Sequence, residues 1–122
     1  MFVHGREVKF KFTIGASIEV ARMCKDGKLE NIGSIFEGTY EEVAHNNNMF
    51  IIALHKGYID SMKFEDPKFD EEPITEQEIL LLDQKEYSQL QDEAYAAYYG
   101  DSKRNVQTEP VKTKGKKTEP KK

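Results

Sequence analysis

The sequence is short of cysteine, of apolar residues and of long hydrophobic runs, and each shortage excludes something. Cys24 is the single cysteine, so no intramolecular disulfide can form and no cysteine-based metal cluster can be built. A reducing, intracellular setting fits such usage. No apolar stretch approaches the roughly 20 residues of a membrane span. The opening Met1-Phe2-Val3-His4-Gly5-Arg6 lacks the basic-then-apolar order of a signal peptide. The expectation is a soluble protein that stays where it is made and has no membrane partner. Apolar residues are 38% of the 122, below the roughly 45–50% of average globular chains, and much of the shortfall lies in a polar C-terminus. One modest domain is the limit.

Reactive constellations are also scarce. His45 and His55 stand ten residues apart, without the four-residue step that brings two imidazoles to one metal. Cys24 sits beside Met23 in an apolar stretch, whereas a catalytic thiol needs a basic, open setting. The run Glu65-Asp66-Pro67-Lys68-Phe69-Asp70-Glu71-Glu72 has a lysine where a calcium loop wants an oxygen ligand, and it lacks that loop's glycine. Gly27, Gly33 and Gly38 are too widely spaced for a phosphate-binding loop. The sequence predicts no catalytic residue, no metal and no cofactor, and so a protein that is not an enzyme.

Charge divides the chain. Residues 101–122 hold eight Lys/Arg against three Asp/Glu, a net +5, which leaves −9 of the total −4 on residues 1–100. An acidic body disfavours nucleic acid as a partner. The terminal segment carries only Val106 and Val111 as large apolar residues and repeats itself, Thr108-Glu109-Pro110-Val111-Lys112 returning as Thr118-Glu119-Pro120-Lys121-Lys122. So little apolar surface cannot offset the entropy of ordering. The expectation is one globular domain over 1–100 and a disordered Lys-rich tail over 101–122.

Within that domain the periodicities predict an α+β fold, mostly helical, with a short N-terminal β-hairpin packed on three to five helices. Phe2-Val3 pairs with the alternating Val8-Lys9-Phe10-Lys11-Phe12 across a turn containing His4-Gly5, with Val8, Phe10 and Phe12 on one face. Thr13 caps a helix from Ile14, with Ile14, Ile18 and Ala21 on one stripe, widened by Val20, Met23 and Cys24, and Asp26-Gly27 as its stop. A short helical pattern runs through Leu29, Ile32, Ile35 and Phe36 to Gly38. Thr39-Tyr40-Glu41-Glu42 is a capping box. Behind it Asn46-Asn47-Asn48 is poor helix material, so a break there, or one bent helix to about Met62, is expected. Met49 to Leu54 is the most apolar stretch, and Leu54, Tyr58 and Met62 keep the spacing of a buried face. Residues 63–73, with Pro67 and Pro73, read as a loop. Thr75-Glu76-Gln77-Glu78 opens a long helix, with Ile74 and Ile79 as a hydrophobic staple and Gly100 as its end.

Binding therefore takes the place of chemistry. Tyr95, Tyr98 and Tyr99 gather near the end of the last helix, and tyrosine combines contact area with a polar tip. With Phe50, Ile51 and Tyr58 they are the candidate partner-binding residues; the alternative is that the tyrosines pack on this chain's own hairpin.

The element order, and the junction Phe12-Thr13-Ile14-Gly15-Ala16 at which an aromatic and basic strand runs into a helix, resemble the tail assembly chaperones of long-tailed bacteriophages. The resemblance spans roughly residues 2–100. It implies a chaperone that binds the tape measure protein and recruits tail tube subunits, works in the host cell cytoplasm, is absent from the finished particle, and has scope to form a homo-oligomer. A different class is a small acidic regulatory or inhibitor protein of phage origin that uses residues 65–72 against a host protein.

Overall fold

The computed structural model describes the backbone of residues 1–107 and the side chains of residues 1–100. The fold is α+β and mostly helical, with a two-stranded antiparallel hairpin at the N-terminus. Strands β1 (Phe2–Val3) and β2 (Arg6–Glu7) pair with Phe2 opposite Glu7 and Val3 opposite Arg6. His4 and Gly5 both have positive φ, 49° and 85°. This is the combination a two-residue primed turn requires, and glycine supplies half of it without strain.

The second strand is therefore Arg6–Glu7 and not the expected Val8–Phe12. The Val8 N–H still donates to the Met1 carbonyl, but the chain then leaves the hairpin. A tight turn at His4-Gly5 fixes register at once, so pairing is over before the apolar run begins. That run is spent on α2, where the Lys11 N–H donates to the Leu54 carbonyl. Its alternation holds: Val8 is buried and Phe10 and Phe12 half-buried, while Lys9 and Lys11 are exposed.

Helix α1 (Ile14–Met23) starts where Thr13 Oγ1 accepts the Ala16 N–H. Its buried face is Ala16 together with Val20 and Cys24 from the expected stripe, while Ile14 and Ile18, placed at that stripe's centre, are 79% and 49% exposed. The reason is the closeness of α2. A Cβ added to Gly57 would meet the Lys11 carbonyl oxygen, Thr13 Oγ1 and the Ala16 Cβ, so only small residues fit at that crossing and the isoleucines turn outward. After Cys24, Asp26 and Gly27 (φ 61° and 67°) reverse the chain as expected. Leu29–Phe36 then forms 3-10 turns with Ile35 buried.

Helix α2 (Tyr40–Glu65) is the central element, touching α1, the 3-10 segment, α3 and α4. The Thr39/Glu42 capping box closes in both directions, at 3.1 and 2.8 Å. The helix runs unbroken through Asn46–Asn48 to Glu65, so the loop starts later than expected. Phe50, Ile51, Leu54, His55 and Ile59 are its fully buried side chains, while Tyr58 and Met62 are only half-buried.

The expected long closing helix is two. Helix α3 (Glu76–Leu80) opens on the Thr75/Glu78 box, and Ile74 and Ile79 are both buried in the core. It stops because Asp83 starts a new helix: Asp83 Oδ1 accepts the Glu86 N–H at 2.8 Å, and Glu86 Oε1 accepts the Asp83 N–H at 3.2 Å. Helix α4 runs Gln84–Gln107, passing Gly100. Leu90, Ala94 and Tyr98 are its buried stripe. Of the expected tail, residues 101–107 continue this helix, and 108–122 lie outside the described residues. Among the described residues no helix is long and apolar enough to cross a membrane.

Candidate functional site

The asparagines that should weaken α2 form its polar interior. Asn47 donates from Nδ2 to the Val43 carbonyl at 2.9 Å, and its Oδ1 accepts from the Tyr95 hydroxyl at 2.7 Å and from Gln91 at 3.2 Å. Asn48 donates to Glu76 Oε2 at 3.1 Å and accepts the Tyr87 hydroxyl at 2.8 Å. Asn46 donates to the Ile35 carbonyl. Buried amides are tolerated when satisfied, and these are. The seam fastens α2 to α4 and α3. Burial pushes the Tyr87 and Tyr95 phenols above the ordinary tyrosine range, Tyr95 furthest. Burial opposes ionisation of Glu76, but hydrogen bonds from Asn48 and His45 outweigh it and hold the carboxyl below the usual carboxylate range.

The chain's three histidines all meet the short segment from Ile74 to Glu78. His4 Nε2 donates to the Glu78 carbonyl at 2.9 Å and His45 Nδ1 to Glu76 Oε2 at 2.8 Å. His55 is fully buried, and its Nδ1 accepts the Ile74 N–H at 2.9 Å. That bond fixes the neutral tautomer with hydrogen on Nε2, which has no hydrogen-bond partner. Burial, and then the nearby Arg6 charge, lower the His55 pKa to about 4, against a smaller opposing effect of Glu78. Among the described residues no group of three or more His, Cys, Asp or Glu could hold a metal ion.

Alongside this seam lies a pocket of about 170 Å³, lined by Tyr40, Ala44, Asn48, Ile79, Leu80, Leu82, Gln84 and Tyr87. Two of its lining side chains are open to solvent, Tyr40 at 81% and Leu80 at 66% exposure, and Leu81, next in the chain, is 69% exposed. Its inner wall is the Asn48–Tyr87 hydrogen bond. A second apolar groove, between α1 and α2, has Met23, Met49, Ile52 and Ala53 between Glu19, Arg22 and Lys56, a mixture of both charges.

The six residues singled out from sequence do not come together as an exposed face. Phe50 and Ile51 are fully buried and so belong to the core; a partner could reach them only by opening the fold. The tyrosines pack inward: Tyr95 stacks on Phe50 at 4.5 Å between centroids, and Tyr98 meets Phe12 edge-on at 4.7 Å. Tyr58 is half-buried against Phe69. Tyr99 is the exposed member, beside Tyr95 and Tyr98. Cys24 is buried, its thiol donates to the Val20 carbonyl, and burial raises its pKa, which disfavours the thiolate.

Sequence reasoning missed the rim. Leu80-Leu81-Leu82 was legible as an apolar run, but assigning one continuous helix to it hid that the chain turns there and leaves two leucines outside. The acidic connector is partly neutralised by the body, with Glu71 near Arg6 at 3.5 Å and Glu72 on Lys63 at 3.2 Å. No protein-family model, curated protein or solved structure matches the chain.

Proposed function

We propose that this chain is a protein-binding adaptor of the tail assembly chaperone kind, which holds an apolar helical segment of a tape measure protein reversibly and brings tail tube subunits to it. The observation that carries the binding role is a side-chain-sized pocket lined by the exposed Tyr40 and Leu80, with exposed Leu81 next in the chain, on a body with net charge −9 over residues 1–100. Large apolar side chains left in solvent beside a concavity are the usual mark of a contact surface, and the surrounding charge keeps such a surface from self-aggregating. The tail-assembly part rests on the resemblance of the hairpin, the Phe12-Thr13-Ile14-Gly15-Ala16 junction and the helices that follow.

Such an adaptor needs no catalysis. It must fold without its partner, keep one apolar site accessible and let go again, and the buried seam of α2, which includes the pocket's Asn48 and Tyr87, provides rigidity without a partner. Size-exclusion chromatography of the purified chain with tape measure fragments tests the role. Co-elution, and fragments kept in the supernatant, are expected; separate elution with no gain in fragment solubility would sink it.

A further inference from the structure

The segments that build the pocket, residues 37–48 and 75–87, hold seven carboxylates (Glu37, Glu41, Glu42, Glu76, Glu78, Asp83, Glu86) and a single lysine, Lys85. Glu42 and Glu78 are partly occupied by their capping boxes. Glu76 is bonded to His45 and Asn48, and Asp83 and Glu86 cap each other, but a hydrogen-bonded carboxylate keeps its charge, so these two segments carry a net −6 beside a pocket whose own lining holds no carboxylate. The pocket, about 170 Å³, is close to the roughly 150 Å³ of an apolar cavity that takes a benzene ring. It is formed by side chains on three elements, α2 at Tyr40 to Asn48, α3 at Ile79 and Leu80, and the start of α4 at Gln84 and Tyr87. Those elements are held by the Asn48–Glu76, Asn48–Tyr87 and His45–Glu76 bonds.

We infer that this pocket is an anchor site for one leucine- or phenylalanine-sized side chain from a separate polypeptide, presented on a segment whose neighbouring residues are lysine or arginine. This rests on the adaptor reading and specifies which surface acts and which partner chemistry it selects. Size and charge both choose the occupant. An apolar side chain of that volume fills the cavity and covers Tyr40 and Leu80. Basic neighbours meet the negative charge of these two segments, which raises the encounter rate and rejects acidic competitors. The chain's own residues 108–122 are basic, but they offer only Val111 as an anchor, smaller than the cavity. The groove between α1 and α2 has no such charge preference.

The test uses the full chain and two dye-labelled helical peptides, each with one central phenylalanine: one flanked by lysines at i±3 and i±4, its twin by glutamates. Anisotropy titrations should show the lysine peptide binding at least tenfold tighter, with the preference shrinking in high salt. Tyr40→Ser and Leu80→Ser should each weaken it about tenfold with unchanged far-UV circular dichroism. Equal binding of the twins, or full binding by both variants, overturns the assignment while leaving the adaptor role standing if tape measure fragments still co-elute. If neither peptides nor fragments bind, the adaptor reading falls too. Replacing Lys112, Lys114, Lys116 and Lys117 by glutamine in the full chain should change peptide affinity less than twofold. A tenfold gain would make the chain's own tail the resident occupant and overturn the assignment to a separate partner.

Discussion

The two sides of the α2–α4 contact invert the ordinary placement of polarity. Inside it, Asn47 and Asn48 are buried with amides, hydroxyls and a carboxylate for partners; a few residues away Tyr40, Leu80 and Leu81 are apolar and in water. In the seam Asn47 Oδ1 and both polar ends of Asn48 are held by partners on other helices, so the seam specifies how the helices sit. At the rim nothing among the described residues covers the side chains, so burying them is available free energy for an association, roughly 25 cal/mol per Å² of apolar surface covered. Stability resides in the seam and the core beneath it, and the proposed binding at the rim. The comparison would break if one set of substitutions changed both properties.

The largest effect should come from the core. Phe50 is fully buried and packed against Tyr95 and Tyr98, so Phe50→Ala should lower the free energy of unfolding by about 3–5 kcal/mol. Urea denaturation measures this. A loss under 1 kcal/mol with reduced partner binding would restore Phe50 as a contact residue and undo the separation.

Acid should act next most strongly, through His55. Its folded pKa, about 4, is depressed below the ordinary 6.5, so the unfolded chain takes up the proton first. The stability this neutral imidazole contributes is complete above pH 6.5 and is lost as pH falls from there towards 4, about 3 kcal/mol in all. Protonation would also turn Nδ1 from acceptor to donor against the Ile74 N–H, which loosens the segment that carries Ile79 and Leu80. Urea midpoints of the wild type should drop steadily between pH 7 and 5, and those of His55→Gln should stay nearly level. Parallel slopes would remove His55 as the cause.

How much of this could be read from the residues depends on whether the signal is local. Capping boxes are short-range, so Thr13, Thr39 and Thr75 marked helix starts correctly, as did the Ile74/Ile79 staple. Asp83 with Glu86 is the same signal, overlooked because the leucine run suggested continuity. Faces were harder. Period alone put Ile14 and Ile18 inside, but which side of α1 is buried depends on Gly57, 43 positions after Ile14, where backbones come too close for an isoleucine. Asn46–Asn48 was judged by helix propensity, a cost of tenths of a kcal/mol per residue. Hydrogen bonds to Tyr87, Tyr95 and Glu76 outweigh that cost, and no local pattern shows them. The anchor pocket was invisible for the same reason: its residues come from three elements.

A smaller loss is expected within the seam. Asn47→Ala leaves the Tyr95 hydroxyl and the Gln91 amide without their acceptor, at about 1–3 kcal/mol. Removing the hydroxyl as well, in Asn47→Ala/Tyr95→Phe, should recover part of this, because the unsatisfied donor is then gone. Thermal unfolding of both single variants and the double variant closes the cycle. Additive losses would mean that the two side chains do not act as a pair.

The smallest stability effect belongs to the rim, and that smallness is its diagnostic. Leu80→Ser and Leu81→Ser change side chains that are 66% and 69% exposed, so each should shift unfolding by no more than about 0.5 kcal/mol. An ordinary exposed leucine would behave the same way, so stability alone does not distinguish a contact surface from incidental exposure. Solubility sharpens the point. If these leucines are kept outside for a partner, their replacement by serine should raise the protein concentration at which salt precipitates the chain, with no compensating gain in stability. A rim that is structural, tucked against α4 in solution, would instead lose more than 1 kcal/mol and leave solubility unchanged. Equilibrium denaturation and ammonium sulfate solubility curves on the same two variants separate these outcomes without any partner in hand.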